Sequence, residues 1–222
     1  MPYRPHLLLY CAVMLACAGS GPLAMEADFR PDPRPLATTM LYSCNGYEFI
    51  ARLGPGEMAL WLPERYVILS RTRSTVGVRY QEGDTVFLLT DNETTLSLGE
   101  VQFRDCKLLP ERAPWADARR RHVDFRAVGH DPDWSLEIRR DQQLKLTGEN
   151  DSLRLSTPDP GEQVAGQARV YHAVTERNDL RVEIVDESCP DSMTGETLAS
   201  RVVVTIDGTT LYGCGRSLDY PW

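Results

Sequence analysis

Lysine is almost missing from this 222-residue sequence: among 24 basic side chains, only Lys107 and Lys145 are not arginine. Histidine is nearly as scarce, and His6, His122, His130 and His172 are scattered, with none at an offset suited to sharing a zinc ion with the cysteines. No Gly-x-Ser-x-Gly, His-Glu-x-x-His, phosphate-binding P-loop or Gly-x-Gly-x-x-Gly motif occurs. These absences remove the usual sequence marks of a serine hydrolase, a zinc protease, a nucleotide enzyme and a dinucleotide enzyme. The expectation is therefore a protein that is not an enzyme and needs no cofactor or metal. A positive surplus is missing as well: the formal net charge is −8. That excludes nucleic acid, whose phosphates require a basic face, and favours attraction to a basic partner. No long helical period of apolar residues appears. What is abundant instead is aromatic and β-branched residues in short runs, which points to a β-rich chain.

The longest apolar run, Leu7 to Ala16, follows Arg4 and is too short to span a bilayer, which takes about 20 residues. It has the form of a signal peptide over residues 1–16. The "MLAC" that ends it resembles a bacterial lipobox, so Cys17 is expected to carry lipid and become the new N-terminus. Ordinary secretion, with cleavage after "ACA" or "MEA", is the alternative, and a retained anchor a third. All three place the mature chain outside the cytoplasm. The leading expectation is a periplasmic lipoprotein, and Ala18, in place of an aspartate, tilts it toward the outer membrane. Residues 17–38 are small, polar and proline-rich, as an extended tether would be.

Export alters the reading of the cysteines. With Cys11 and Cys17 set aside, Cys44, Cys106, Cys189 and Cys214 remain, an even number in an oxidising compartment. Three pairings are possible. Two separate domains would favour Cys44–Cys106 with Cys189–Cys214, each closed loop contributing roughly 3–4 kcal/mol.

Strand-like runs separated by turns every 8–10 residues or so begin near Met40 ("YEFIARL", "MALWLP", "RYVILS", "TVFLLT", "TLSLG"). The rhythm breaks at "KLLPERAPWADARRRH", which has room for a short helix and carries a basic cluster, Arg119 to Arg121, of the kind that usually forms a solvated face. It resumes at "VDFRAVG" and continues through two hairpin candidates, one turning at Asn150–Asp151 and one at Asp207–Gly208. The expected fold class is all-β: two small antiparallel barrel-like domains, residues 39–109 and 123–222, joined by a linker over 110–122.

Catalytic candidates in the second half are few. "HDPDW" (His130 to Trp134) reads as a polar turn before a strand, and "CPDSMTG" places a thiol, an acid and a serine together. A hydrolase would require His130, Asp131 and Asp191 to converge in one pocket.

Between Leu41 and Lys107, "LYSCNGYEFIARL", "MALWLP", "STVGVRY", "TVFLLTDNETTLSLG" and "VQFRDC" resemble the family of membrane-bound inhibitors of c-type lysozyme. That family opens on Tyr-x-Cys-x-x-Gly, continues with a Ser-Ala-Ser-Gly-x-Arg-Tyr loop and a second loop bearing Trp-x-Lys-Gly, and ends on a cysteine. Tyr42, Cys44 and Cys106 match, with Gly46 offset by one, and so do Gly77, Arg79 and Tyr80, while Ser74 or Thr75 could supply a hydroxyl and Arg71 or Arg73 a cation if the loop were re-formed. The resemblance implies a small barrel closed by a Cys44–Cys106 disulfide. It also implies blockade of a c-type lysozyme by loop insertion, a loop serine bonding the cleft carboxyl groups and a lysine of the second loop pairing with their charge. Here Val76 occupies the serine position, Thr90 the lysine position and Leu88 the tryptophan position. The two polar anchors are absent from their positions. The implied partners are c-type lysozyme or a related muramidase, with a non-inhibitory envelope binding or scaffold lipoprotein as the alternative. Over residues 123–218, "FRAVGHDPDWSLEI", "CPDSMTGE" and "YGCGRSL" resemble a second group of bacterial envelope proteins, which implies a β-barrel or meander with a Cys189–Cys214 bridge and carries no particular activity over to this chain.

Overall fold

A computed structural model describes residue 1, residues 38–148 and residues 153–218. The expected signal peptide, nearly all of the tether, Cys17 and the Asn150–Asp151 turn lie outside the described residues. Apart from one helix, the described chain is built of β-strands, in agreement with the expected class.

The first sheet is an antiparallel meander. Its strands are β1 (Thr39–Cys44), β2 (Tyr47–Gly54), β3 (Glu57–Trp61), β4 (Tyr66–Thr72), β5 (Val78–Glu82), β6 (Thr85–Leu89), β7 (Thr94–Leu98), β8 (Val101–Phe103) and β9 (Cys106–Leu108). Each pairs with its sequence neighbour from β1 to β8, and β9 returns to the free side of β1, giving the order β8-β7-β6-β5-β4-β3-β2-β1-β9. This return curls the sheet into a nearly closed barrel. The alternation of side chains along β3 and β6 places Met58, Leu60, Thr85 and Phe87 inward. Tyr42 stacks on Phe49 at 5.6 Å and meets Phe87 edge-on at 5.2 Å. Cys44 and Cys106 are directly opposed on β1 and β9, and their disulfide staples the seam. Asn45 and Gly46, both at positive φ, make the two-residue turn into β2.

A short helix follows, α1 (Ala113–Arg120), which begins with Pro114 in its first turn. It lies in the segment read as a linker. Ala113 and Ala116 bury against Leu41 and Ile50 of the first sheet. Ala118 buries with Val123 and Leu218 of the second half, and Trp115 packs on them. The basic cluster is not the solvated face expected of it. Arg120 lies over the Trp61 ring at 4.6 Å and bonds Asp117, while Arg121 bonds both Asp117 and Glu137.

The second sheet contains β10 (Phe125–His130), β11 (Asp133–Arg139), β12 (Gln143–Gly148), β13 (Arg154–Pro158), β14 (Gln163–Ala165), β15 (Ala168–Val174) and β16 (Asp179–Val185). After a small outer hairpin of β17 (Cys189–Pro190) and β18 (Thr197–Leu198), β19 (Ser200–Ile206) and β20 (Thr209–Ser217) complete it. The order β13-β12-β11-β10-β20-β19-β16-β15-β14 curls into a half-barrel around Trp134, Leu136, Leu146, Val182 and Val204. Asp207 and Gly208 form the tight turn between β19 and β20 that their sequence predicts. Cys189 and Cys214 are bonded, so both expected disulfides are present. The second one ties the outer hairpin to the convex face of the sheet.

Candidate functional site

Two places gather chemistry-bearing residues. The first is the connection between β4 and β5. Ser74 Oγ accepts the Val76 N–H at 3.2 Å, which rounds the loop and leaves the Val76 side chain 64% exposed at its tip. Gly77 lies so close to the turn after β6 that a Cβ would fall 2.1 Å from the Leu89 carbonyl oxygen and 3.1 Å from Thr90 Cα. The two segments the resemblance pairs, Ser74 to Tyr80 and Thr90, are thus in contact.

Their side chains are otherwise occupied. The Thr90 hydroxyl donates to the Glu93 carbonyl at 2.8 Å and accepts the Glu93 N–H at 2.9 Å, so it organises its own turn. Tyr80 is buried in the barrel core, and Arg79 is half-buried opposite Leu88. Two cations the motif does not include, Arg71 and Arg73, stand exposed at the base of the loop around an open cavity of about 420 Å³. Neither has an ion-pair partner among the described residues.

The second place is a cavity of about 250 Å³ on the outer face of the half-barrel. His130 and Asp191 do converge there. Imidazole Nε2 is 2.7 Å from Asp191 Oδ1, at ion-pair distance though without the alignment of a hydrogen bond, and Nδ1 is 3.2 Å from Asp133 Oδ1. Asp191 is 7% exposed. Burial alone would raise its carboxyl, but the Thr194 hydroxyl, the Met193 N–H and the His130 charge outweigh it and hold the group below the usual carboxylate range. Asp131 sits in the Asp131–Pro132 hairpin turn and does not line the cavity.

The three acids and bases therefore do not form a hydrolytic set. Each ring nitrogen of His130 lies beside a carboxylate oxygen, while Asp131 stays outside the cavity. The carboxylates surround the imidazole rather than sharing a point with it, and among the described residues no cluster of His, Cys, Asp or Glu is arranged to hold a metal ion. Arg201 and Tyr212 also line this cavity and carry no sequence motif. The signal for Tyr212 is its place in "LYGCG", where the strand period sets it on the same face as the disulfide-bonded Cys214.

Set against family models, curated proteins and solved structures, the chain finds no match.

Proposed function

We propose that this is an exported, lipid-anchored envelope protein that acts by binding rather than by catalysis, with the β4–β5 loop as its binding edge and a c-type lysozyme or related muramidase as its partner. The observation that carries this reading is the loop itself: an exposed Val76 tip, braced through Gly77 on Leu89 and Thr90, with the cations Arg71 and Arg73, unpaired among the described residues, at its base. A muramidase cleft presents two carboxyl groups in a partly desolvated site. Cations brought to such a site contribute more than they do in water, and charge complementarity speeds the encounter. The net charge of −8 draws a basic enzyme toward the chain, while the local positive spot selects its acidic cleft. The two disulfides suit the oxidising compartment that export implies.

The alternative, an envelope binding protein that does not inhibit, is favoured by one feature. Val76 offers no donor and the Thr90 hydroxyl is committed to its turn, so the loop lacks the hydroxyl anchor. Binding by the chain starting at Cys17 to a c-type lysozyme, followed together with lysis of cell walls, separates the two. Affinity is expected near the micromolar range, because charge acts without a buried hydroxyl anchor. Arg71→Glu combined with Arg73→Glu should abolish it, and Val76→Ser should tighten it several-fold. Binding with undiminished lysis selects the scaffold reading. No binding at about 100 µM protein would sink the lysozyme reading, because the contact energy would then be below about 5.5 kcal/mol, and would leave an envelope binding protein with a different ligand.

A further inference from the structure

The cavity beside His130 lies over the convex face of the second sheet, where the antiparallel register assembles its floor. Val128 is opposite Cys214, and Cys214 opposite Arg201. Continuing that register two residues beyond its last pair sets His130 beside Tyr212, which faces Val203 on its other side. The segment Cys189 to Ser192 stands over this floor as a wall, fixed by the disulfide and by the Asp191–His130 contact. Leu211 turns into the core and Gly213 packs against Trp134, so Tyr212 between them points outward, 69% exposed at the rim. Its phenol has no hydrogen-bond partner among the described residues.

The cationic groups around the cavity are already paired. His130 faces Asp133 and Asp191, and Arg201 pairs with Glu187 at 3.2 Å. An anionic ligand would find no unspent positive charge and would still lose its hydration. What remains available is a flat aromatic face, apolar ground from Val128 and the disulfide, and hydrogen-bonding groups at the edge: the Ser192 and Tyr212 hydroxyls and the outer N–H groups of Arg201. That combination suits a neutral ligand with a C–H face and hydroxyl edges. The volume is smaller than the roughly 300–1,000 Å³ of sites for drug-sized ligands, so one ring fits and the rest of a chain would run out through the open side.

We infer that this cavity is a saccharide site that takes one neutral pyranose ring, stacked on Tyr212 and edged by Ser192 and Arg201. It shares no residue with the β4–β5 loop and stands or falls separately from the lysozyme reading. The test is an NMR titration of the isotope-labelled chain, from Cys17 onward, with the N-acetylglucosamine trimer and with maltotriose. Saturable amide shifts are expected at Val128, His130, Tyr212, Gly213 and the Cys189 to Ser192 segment for at least one of them, with Kd of about 0.1–10 mM. Tyr212→Ala, on an exposed side chain, should leave the rest of the spectrum unchanged and weaken binding about tenfold or more, a loss of about 1.4 kcal/mol. Tyr212→Phe should stay within about threefold of wild type, since the stacking face is kept. The Arg71→Glu, Arg73→Glu chain should bind sugar as wild type does. Absence of saturable shifts up to about 50 mM of either sugar would overturn the assignment. So would binding indifferent to Tyr212→Ala, or capture of glucuronic acid in preference to the neutral sugars.

Discussion

Gly77 is the residue on which the geometry of the exposed loop depends. Any side chain there would drive its Cβ into the Leu89 carbonyl, a backbone atom that cannot move without disturbing the pairing of β5 with β6. Gly77→Ala is expected to cost about 1–3 kcal/mol in urea denaturation, in line with overpacking at a close backbone approach. It should also shift the amide resonances of Leu89 and Thr90. A cost below about 0.5 kcal/mol, the range of neutral surface changes, would show that the two segments are not in contact. Thr90 teaches the complementary lesson. In sequence Thr90 stands at the position of a lysine that has lost its charge, which makes Thr90→Lys look like a simple gain. The structure gives its hydroxyl three partners in the Thr90–Glu93 turn. Thr90→Lys should therefore lower stability by about 1 kcal/mol, the net value of such hydrogen bonds. That a glycine stands in a connection between strand-like runs was legible in the sequence. The turn role of Thr90 was not, because it depends on the backbone of Glu93 three residues away.

At the scale of elements, the strands could be read from the sequence because alternation and turn residues are local signals, as in "YEFIARL" and in Asp207–Gly208. Helix α1 was visible only as a break in that rhythm. Its burial depends on alanines, and Arg121, just past its end, takes a partner on β11: Arg121 meets Glu137, and Arg126 of β10 meets the same carboxylate at 2.6 Å. Glu137 is 8% exposed, and Arg126 is 9% exposed. Glu137→Ala leaves Arg126 buried without its counter-charge and should cost about 3–5 kcal/mol. Acid should act on the same contacts. Burial pushes the Glu137 carboxyl up, but hydrogen bonds and charge from Arg121 and the charge of Arg126 outweigh it and hold it below its usual value. Asp117 is likewise held low, by Arg121 and Arg120 against the effect of burial. The unfolded chain therefore takes up protons at higher pH than the folded one. The contribution is complete above the ordinary carboxylate range near pH 4 and is lost as pH falls through the depressed folded values. The wild-type Tm should drop steeply below about pH 4, and Glu137→Ala should flatten that drop; parallel curves would show that these carboxylates do not carry the acid sensitivity.

For the whole described molecule, α1 is shared between the two sheets. Its Ala113 and Ala116 belong to an apolar cluster with Leu41 and Ile50, and its Ala118 to another with Val123 and Leu218. Polar contacts run the same two ways. Arg112 holds Glu48 with two hydrogen bonds, at 2.7 and 3.0 Å, and Thr39 bonds Asp117, whereas Trp115 lies under the guanidinium groups of Arg126 and Arg216. An element eight residues long cannot hold its shape alone in water. It persists only while both surfaces it covers are present, so losing either sheet removes the support of the helix and strips apolar cover from the other. Unfolding should then be cooperative across both sheets. With the disulfides intact, calorimetry at neutral pH is expected to give one endotherm whose calorimetric and van't Hoff enthalpies agree. Glu137→Ala cuts the polar attachment on the second sheet only, and it should separate the endotherm into two, the lower one being the half-barrel and the upper one the barrel stapled by Cys44–Cys106. Two resolved transitions already in the wild type would mean that the helix rests on the sheets without coupling them.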